Sequence, residues 1–428
     1  MKKSHSTKQS QLELADGSLK SALPDTFDAA WKRSFRTAVL KWYKSHGRQL
    51  PWRVSAVPYR IWISEIMLQQ TTVAAVIPYF DRFISRFPDV HSLASAEQAD
   101  VLRLWEGLGY YSRARNLHKA AQMIVDQYAG EFPAALEDLM TLPGVGRYTA
   151  GAIASFAFHQ HAPIVEANTA RLYARLLALR EPTASTAGQK ALWQFAEWIA
   201  SPATAGKKSS RDPEAANFNQ AVMDIGSSVC RPVDPDCGNC PLVKFCGSVK
   251  AGLQAQIPVA KPRPEFTQLH EISLAVRHGN QWLLRECQPG ERWTGLWDFI
   301  RFQVPAEHFE PSSLQNFGIP SPESRNLKKA VRRGREQPSL FHETGVHTFE
   351  SPFWTAMVKE RTGLQITRFE FSQWIRHTVT RYHIQLLCLN ALTDDSELRI
   401  DSGYQWMSRE QVDSLPLSTT ARKVAKSI

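Results

Sequence analysis

The chain has 428 residues, 43% of them hydrophobic, so it can bury a sizeable core and is long enough for two or three domains. Its 51 lysines and arginines against 41 aspartates and glutamates give a net charge of +10, which suits a polyanionic partner but is equally compatible with an ordinary basic protein. No apolar run reaches about 18 residues and the polar N-terminus lacks the apolar core of a secretory signal, which predicts no membrane association and a reducing, cytoplasmic location.

The composition divides the first part of the chain into a tail, a helical region and a linker. Residues 1–28 are polar and predict a disordered tail. Residues 29–250 favour helices separated by short breaks at proline and glycine, and we expect the long apolar stretch from Tyr59 to Phe87 to be interrupted near Pro78. The proline-rich end of residues 251–264 predicts a stiff linker.

Residues 265–428 have a different pattern of apolar residues and predict a smaller α+β domain. Apolar side chains alternate over 272–276 and precede the turn dipeptide Gly279-Asn280, which indicates a β-hairpin. A second strand is predicted from His383 to Leu389. The sequence therefore predicts a mainly helical domain followed by a domain that contains strands.

A glycine-containing turn, Leu142-Pro-Gly-Val-Gly146, joins two predicted helices. Gly144 and Gly146 permit a tight turn and a close approach of the backbone to a ligand. Because the next helix begins near Arg147, its unbonded N–H groups and its dipole would face one point and could hold a DNA phosphate. On this motif alone, an ordinary connection between helices is the more common explanation.

Four of the six cysteines are crowded together, with spacings of six, two and five residues. This spacing favours a cubane-type iron–sulfur cluster, because zinc sites usually pair two close Cys-x-x-Cys hooks or combine cysteine with histidine. Zinc remains the alternative. Cys287 and Cys388 lie among predicted strands and are expected to be buried core thiols. The four proposed metal ligands are Cys230, Cys237, Cys240 and Cys246.

Glu65 is the only carboxylate in the apolar, helix-forming stretch from Tyr59 to Thr71. It is either exposed to solvent or buried for a function. Burial would raise its pKa toward neutrality and make it a proton donor. From these residues alone, the exposed position is the more common one.

Taken together, these segments resemble the endonuclease III and MutY superfamily of DNA glycosylases over roughly residues 45–428. The cysteine spacing resembles its cluster loop, and the glycine turn resembles its helix–hairpin–helix motif. Residues 50–53, 59–71, 107–115 and 218–226 resemble MutY segments, while 292–299 and 415–423 resemble the MutY C-terminal domain.

The resemblance implies a mainly α helix–hairpin–helix glycosylase domain with an iron–sulfur cluster loop, plus a C-terminal α+β Nudix-like domain without the acidic helix of a working Nudix hydrolase. It implies a [4Fe–4S] cluster that supports DNA binding. It also implies a monomer that acts on double-stranded DNA, associated with a bacterial-type nucleoid, and removes adenine mispaired with 8-oxoguanine or guanine in base excision repair.

The resemblance also implies roles for single residues. Glu65 would protonate adenine, chiefly at N7, and Glu166 would stabilise positive charge on the sugar, with Tyr148 and Asn168 assisting. MutY proteins usually have Asp-Gly-Asn where this chain has Glu166-Ala167-Asn168, so Glu166 keeps the charge but carries one more methylene. The residues implied in binding adenine or DNA are Trp52, Arg53, Gln70, Thr71, Leu108, Tyr110, Gly144, Gly146 and Asp224.

Tyr148 separates two reaction classes. Bifunctional endonuclease III-like enzymes carry a lysine at this place, which attacks the sugar and leads to strand cleavage through a Schiff base. A tyrosine cannot form an imine, so the chain is expected to be monofunctional. A bifunctional lyase remains one alternative. A catalytically impaired DNA-binding homologue is another, because Glu166 and the triplet Val379-Thr380-Arg381 depart from the family pattern.

Overall fold

The structure is a computed structural model that describes residues 27–202, 213–259, 265–320, 348–394, 396–397 and 403–428. Residues 1–26 of the predicted tail and residues 260–264 of the predicted linker lie outside these residues. The described residues of Met1–Ala96 and Ser112–Pro262 form one unit, and those of Glu97–Tyr111 and Arg263–Ile428 form a second. None of the helices in these ranges has the length and apolarity needed to span a bilayer.

The first unit is built from helices, as predicted. Several begin at a side chain that accepts hydrogen bonds from the first turn: Asp28 accepts from Trp31 N at 2.7 Å, and Ser185 accepts from Gly188 N at 3.0 Å. The helices of this unit are α1 (Ala29–His46), α2 (Pro58–Leu68), α3 (Val73–Arg86), α4 (Val90–Ala94), α6 (Ser112–Tyr128), α7 (Leu136–Leu139), α8 (Arg147–Phe156), α9 (Ala167–Leu177), α10 (Thr186–Ala200), α11 (Pro213–Asp224) and α12 (Gly247–Lys250), while α5 (Gln98–Leu104) belongs to the second unit.

Helix α2 lies in the core of the first unit and carries Glu65 with it. It packs against α3, α6 and α8, and it is buried from Tyr59 to Met67 except at Arg60. Trp62 and Ile63 are fully inaccessible to solvent, and burying one such side chain contributes roughly 1.5–3 kcal/mol. Because apolar packing covers α2 on nearly every side, its single carboxylate is forced into the interior.

The predicted interruption near Pro78 is wrong, since Pro78 lies inside α3. The break falls before α3, where Gln70 has a left-handed backbone with a φ of 58°. Arg113 holds this turn: its Nη1 donates to Met67 O at 2.9 Å and to Gln69 O at 2.6 Å. A buried arginine from α6 therefore satisfies the carbonyls that the end of α2 leaves unpaired.

The second unit contains a seven-stranded mixed sheet, with strand order β4-β5-β6-β1-β3-β2-β7. The central pair β1 and β6 is parallel, and the other pairs are antiparallel. The strands are β1 (Thr267–His278), β2 (Gln281–Glu286), β3 (Trp297–Val304), β4 (Thr348–Glu350), β5 (Arg368–Val379), β6 (Tyr382–Leu392) and β7 (Tyr404–Ser408). The helices after β3 are α13 (Pro311–Gln315), α14 (Pro352–Thr362), α15 (Arg409–Ser414) and α16 (Thr419–Ala425).

Both faces of this sheet are covered. Ile272 and Leu274 of β1 pack in one hydrophobic cluster with Trp354 of α14. Ala275, which lies on the opposite face of β1, packs in another cluster with Val424 of α16. This arrangement confirms the predicted α+β fold, the hairpin at Gly279-Asn280 and the strand over 383–389. Cys287 and Cys388 are buried, as predicted.

Candidate active site

A cavity of about 720 Å³ opens in the first unit, within the roughly 300–1,000 Å³ typical of small-molecule sites. Its walls come from the turn before α2, from α2 and the break that follows it, and from the first turns of α8 and α9. Among the residues predicted from the sequence, those that line it are Trp52, Arg53, Glu65, Gln70, Thr71, Tyr148, Glu166 and Asn168.

Glu65 is buried in the wall of this cavity, with 3% of its surface exposed. Tyr148 Oη donates a hydrogen bond to Glu65 Oε2 at 2.6 Å. Burial raises the pKa of Glu65 to about 7, against the opposing effects of the Tyr148 hydrogen bond and the Arg53 charge, while the negative charge of Glu166 raises it further. Glu65 can therefore hold or release a proton near neutral pH.

Glu166 is the residue that caps helix α9. Its Oε1 accepts from Thr169 N at 2.8 Å, and its Oε2 accepts from Asn168 N at 2.8 Å and from Asn168 Nδ2 at 3.2 Å. Burial raises the pKa of Glu166, and these hydrogen bonds oppose the rise. The α9 N-terminus thus fixes the carboxylate, and its dipole favours the ionised form.

The two carboxyl groups line one cavity in different surroundings. Glu65 sits among apolar side chains with one hydroxyl donor, whereas Glu166 receives two backbone N–H groups and an amide. Such a difference in surroundings separates the proton affinities of paired carboxylates.

Asn168 connects this cavity to the turn that precedes the cysteines. Its Oδ1 accepts from Arg171 Nη2 at 2.8 Å, and Arg171 also donates to Gly226 O at 2.6 Å and to Cys230 O at 2.8 Å. A Cβ atom on Gly226 would lie 2.8 Å from Asn168 O, so only glycine allows this close packing.

Asp224 is almost completely buried and does not line the cavity. It pairs with Arg53, with contacts of 2.8 and 3.1 Å, and its Oδ1 accepts from Arg48 Nε at 2.6 Å. Although burial raises the pKa of Asp224, the hydrogen bonds from Arg53 and Arg48 and the charge of Arg53 lower it overall. Arg48 was not predicted as a site residue, and its only signal in the sequence is its position shortly before the Leu50–Arg53 motif.

The glycine turn joins α7 to α8 and has the helix–hairpin–helix geometry that was predicted. Gly144 has a φ of 78°, and a Cβ there would lie 2.9 Å from Asn116 Cβ. Gly146 precedes α8, and no side chain caps the first turn of that helix. Open space surrounds the Cβ position of Gly146, which would allow a backbone or phosphate to approach.

The four cysteines Cys230, Cys237, Cys240 and Cys246 line a second cavity. Its other walls are largely apolar, and Arg175 Nη1 donates to Cys230 Sγ at 3.2 Å. The cavity therefore brings the four thiols beside the buried guanidinium of Arg175. Among the described residues, no group of three or more histidine, cysteine or acidic side chains has the arrangement needed to hold a metal ion.

Leu108 and Tyr110 belong to the second unit. Leu108 is buried, whereas Tyr110 is 49% exposed and has a positive φ of 48°. The triplet Val379-Thr380-Arg381, which departs from the family pattern, lies at the β5–β6 hairpin, where Val379 pairs with Tyr382 across the turn.

Comparison with known proteins gives a consistent result. A family profile described as "HhH-GPD superfamily base excision DNA repair protein" matches residues 63–197. The chain is 41% identical over 426 residues to the adenine DNA glycosylase of Homo sapiens, covering 93% of this chain and 74% of that protein. It is 38% identical over 277 residues to the adenine DNA glycosylase of Buchnera aphidicola subsp. Acyrthosiphon pisum, covering 64% and 76%. A solved thermostable thymine-DNA glycosylase matches with a TM-score of 0.44 and 27% identity, covering 52% of this chain and 98% of that one.

Proposed function

The chain belongs to the adenine DNA glycosylase family, and on this basis we propose that the cavity beside Glu65 receives an adenine flipped out of mispaired DNA and releases it by hydrolysis. The observation that carries the proposal is that Glu65, a buried carboxyl group held by Tyr148, lines the same cavity as a second, differently held carboxylate. A base inside a duplex is inaccessible, so flipping it out is required and costs roughly a few kcal/mol.

In the proposed reaction, Glu65 donates its proton to N7 of the bound adenine. Protonation makes the base a better leaving group, and the glycosidic bond breaks with its electron pair going to adenine. The oxygen of a water molecule then bonds to C1′ of the sugar and loses a proton to the solvent. Tyr148 supports the role of Glu65, because its hydroxyl fixes the carboxyl group through one short hydrogen bond.

Glu166 is proposed to stabilise the positive charge that builds on the sugar as the bond breaks. The two N–H groups of the α9 N-terminus hold its carboxylate, so it needs no reorganisation when the charge appears. Asn168 donates to the same carboxylate and positions it. The extra methylene of Glu166 is therefore compatible with the role that the family assigns to a shorter acid.

We also propose that the four cysteines hold a [4Fe–4S] cluster, for which the apolar cavity and the Arg175–Cys230 contact are the support. Bound there, the cluster would order the loop for DNA binding and take no part in redox turnover. Protein purified without oxygen should be brown and contain about four irons per chain. Stoichiometric zinc without visible absorbance would contradict the proposal.

The experiment that tests the reaction type uses an end-labelled duplex with adenine opposite 8-oxoguanine. Base release without strand cleavage should give a cut strand only after alkali, and borohydride should trap no covalent adduct, because Tyr148 cannot form an imine. Cleavage without alkali would support the bifunctional alternative. Binding without any base release would support the catalytically impaired alternative. We further propose that the protein is a monomer and that it acts on nucleoid DNA in the cytoplasm.

A further inference from the structure

The loop that carries Leu108 and Tyr110 is anchored by the C-terminal end of the chain, within the second unit. Arg422 of α16 forms a bidentate ion pair with Glu106, with contacts of 2.7 Å from Nε to Oε1 and 3.0 Å from Nη2 to Oε2. The two side chains are only 13% and 12% exposed. A bidentate pair with this little solvent fixes both position and orientation.

Further contacts connect the same two segments. Arg103 donates to Glu106 Oε2 at 2.9 Å and to Asp413 O at 2.8 Å, and Tyr111 Oη lies 3.4 Å from Leu417 O. Arg422 also donates to Leu415 O at 2.7 Å. Both ends of the loop over 107–110 are therefore attached to residues 413–422.

The loop between these anchors has a backbone that needs support. Gly107, Gly109 and Tyr110 all have positive φ values, of 99°, 70° and 48°. The Tyr110 conformation is unfavourable for a residue with a side chain, and such conformations persist when the surroundings hold them. One such restraint is the Trp105 indole, whose Nε1 donates to Gly109 O at 3.2 Å.

We propose that the Glu106–Arg422 ion pair is a positioning element for Leu108 and Tyr110, so that contact with the base opposite adenine, and the opening of the base stack, depend on helix α16. The proposal rests on the proposed function, because it is the resemblance to MutY proteins that implies that Leu108 contacts the base opposite adenine and that Tyr110 opens the base stack. Neither Glu106 nor Arg422 touches the reacting atoms. They act through the loop, and their loss should affect DNA opening while the cavity around Glu65 stays intact.

The test compares full-length Glu106→Gln, Arg422→Gln and the double variant with the parent. One readout is the fluorescence of 2-aminopurine placed next to the mispaired adenine, which rises when the base stack opens. The other is single-turnover adenine release opposite 8-oxoguanine and opposite guanine. Because contacting residues typically couple by roughly 0.5–3 kcal/mol, each variant should lose about tenfold in rate. The fluorescence rise should fall by at least half.

The double variant should be no slower than the worse single variant, since both changes break the same Glu106–Arg422 ion pair. Arg368→Gln is the matched control, because it removes the same charge from an arginine of the same unit that pairs with Glu350, outside residues 103–111 and 413–422. It should behave as the parent. Arg422→Gln also loses the hydrogen bonds from Arg422 to backbone carbonyl groups. If that variant fails to fold, Glu106→Gln alone tests the proposal.

Unchanged fluorescence and rates in Glu106→Gln, or losses that add in the double variant, would overturn the proposal. Failure of the proposed function gives a different result, because the parent itself would then release no adenine. Equal losses of rate without a change in fluorescence would also overturn it, since they would place the effect away from the opening of the base stack.

Discussion

Replacing Glu166 by glutamine tests whether its charge serves catalysis. The change keeps the size of the side chain but removes the negative charge that faces the cavity. At an effective dielectric constant near 20, a carboxylate attracts a unit positive charge about 4 Å away by about 4 kcal/mol. Losing this interaction only in the transition state should slow adenine release about a thousandfold, since each 1.36 kcal/mol corresponds to about tenfold.

Glu166 is also a helix cap, and the variants must separate the two roles. Glutamine weakens the hydrogen bonds from Thr169 N and Asn168 N, which should cost about 0.5–2 kcal/mol of stability. Glu166→Ser is the matched control, because serine is a good cap but carries no charge. Glu166→Asp keeps both the charge and a capping oxygen.

The assay is single-turnover adenine release, with the thermal midpoint measured for each protein. Glu166→Ser should stay close to the parent in stability and lose about as much activity as Glu166→Gln. Glu166→Asp should keep substantial activity. The reasoning is refuted if Glu166→Ser cleaves as fast as the parent, or if the loss in Glu166→Gln only follows its unfolded fraction.

Three further predictions concern the buried charges. Because burial raises the pKa of Glu65 to about 7 from 4.5, its contribution to the free energy of unfolding is complete below about pH 4.5 and is lost as the pH rises toward 7. Glu65→Gln lacks this loss, so its free energy of unfolding in urea, relative to the parent, should be up to about 3 kcal/mol higher at pH 8 than at pH 4.5. The same difference from the parent at both pH values would contradict this. Tyr148→Phe removes a hydrogen bond that lowers the pKa of Glu65, so the alkaline limb of the pH–rate profile should move to higher pH, and a move to lower pH would show that the bond acts otherwise. Asp224→Asn leaves Arg53 buried without its partner charge and should lower the unfolding free energy by about 3–5 kcal/mol, whereas an unchanged denaturation midpoint would rule out this role.

Local patterns predicted the parts of the fold that depend on neighbouring residues. Alternation around a Gly-Asn turn gave the β1–β2 hairpin, and the glycine spacing of Leu142–Gly146 gave the turn between α7 and α8. The place of Glu65 in the core was not predictable from its own stretch alone. It depends on how many faces of α2 are covered, which is a property of the packed helices.

Contacts between distant residues escaped the sequence analysis. Glu106 and Arg422 are separated by 316 positions, so no local pattern could show that residues 97–111 join the second unit. In the sequence, Arg113 is only one residue of the segment 107–115. The structure shows its role, because its guanidinium donates to a carbonyl group at the end of α2. The break lies at Gln70 and not at Pro78, and no local sequence pattern indicates a left-handed backbone at a glutamine.

The central claim is that Glu65 is the acid that releases adenine, and the pH dependence of single-turnover adenine release tests it most directly. The substrate is a duplex with adenine opposite 8-oxoguanine, and saturating protein removes any effect of binding. The parent rate should fall about tenfold per pH unit above a pKa near 7, while Glu65→Gln should be slower by about 100-fold or more and lack that limb. A Glu65→Gln protein that keeps the parent rate and the same alkaline limb would contradict the account.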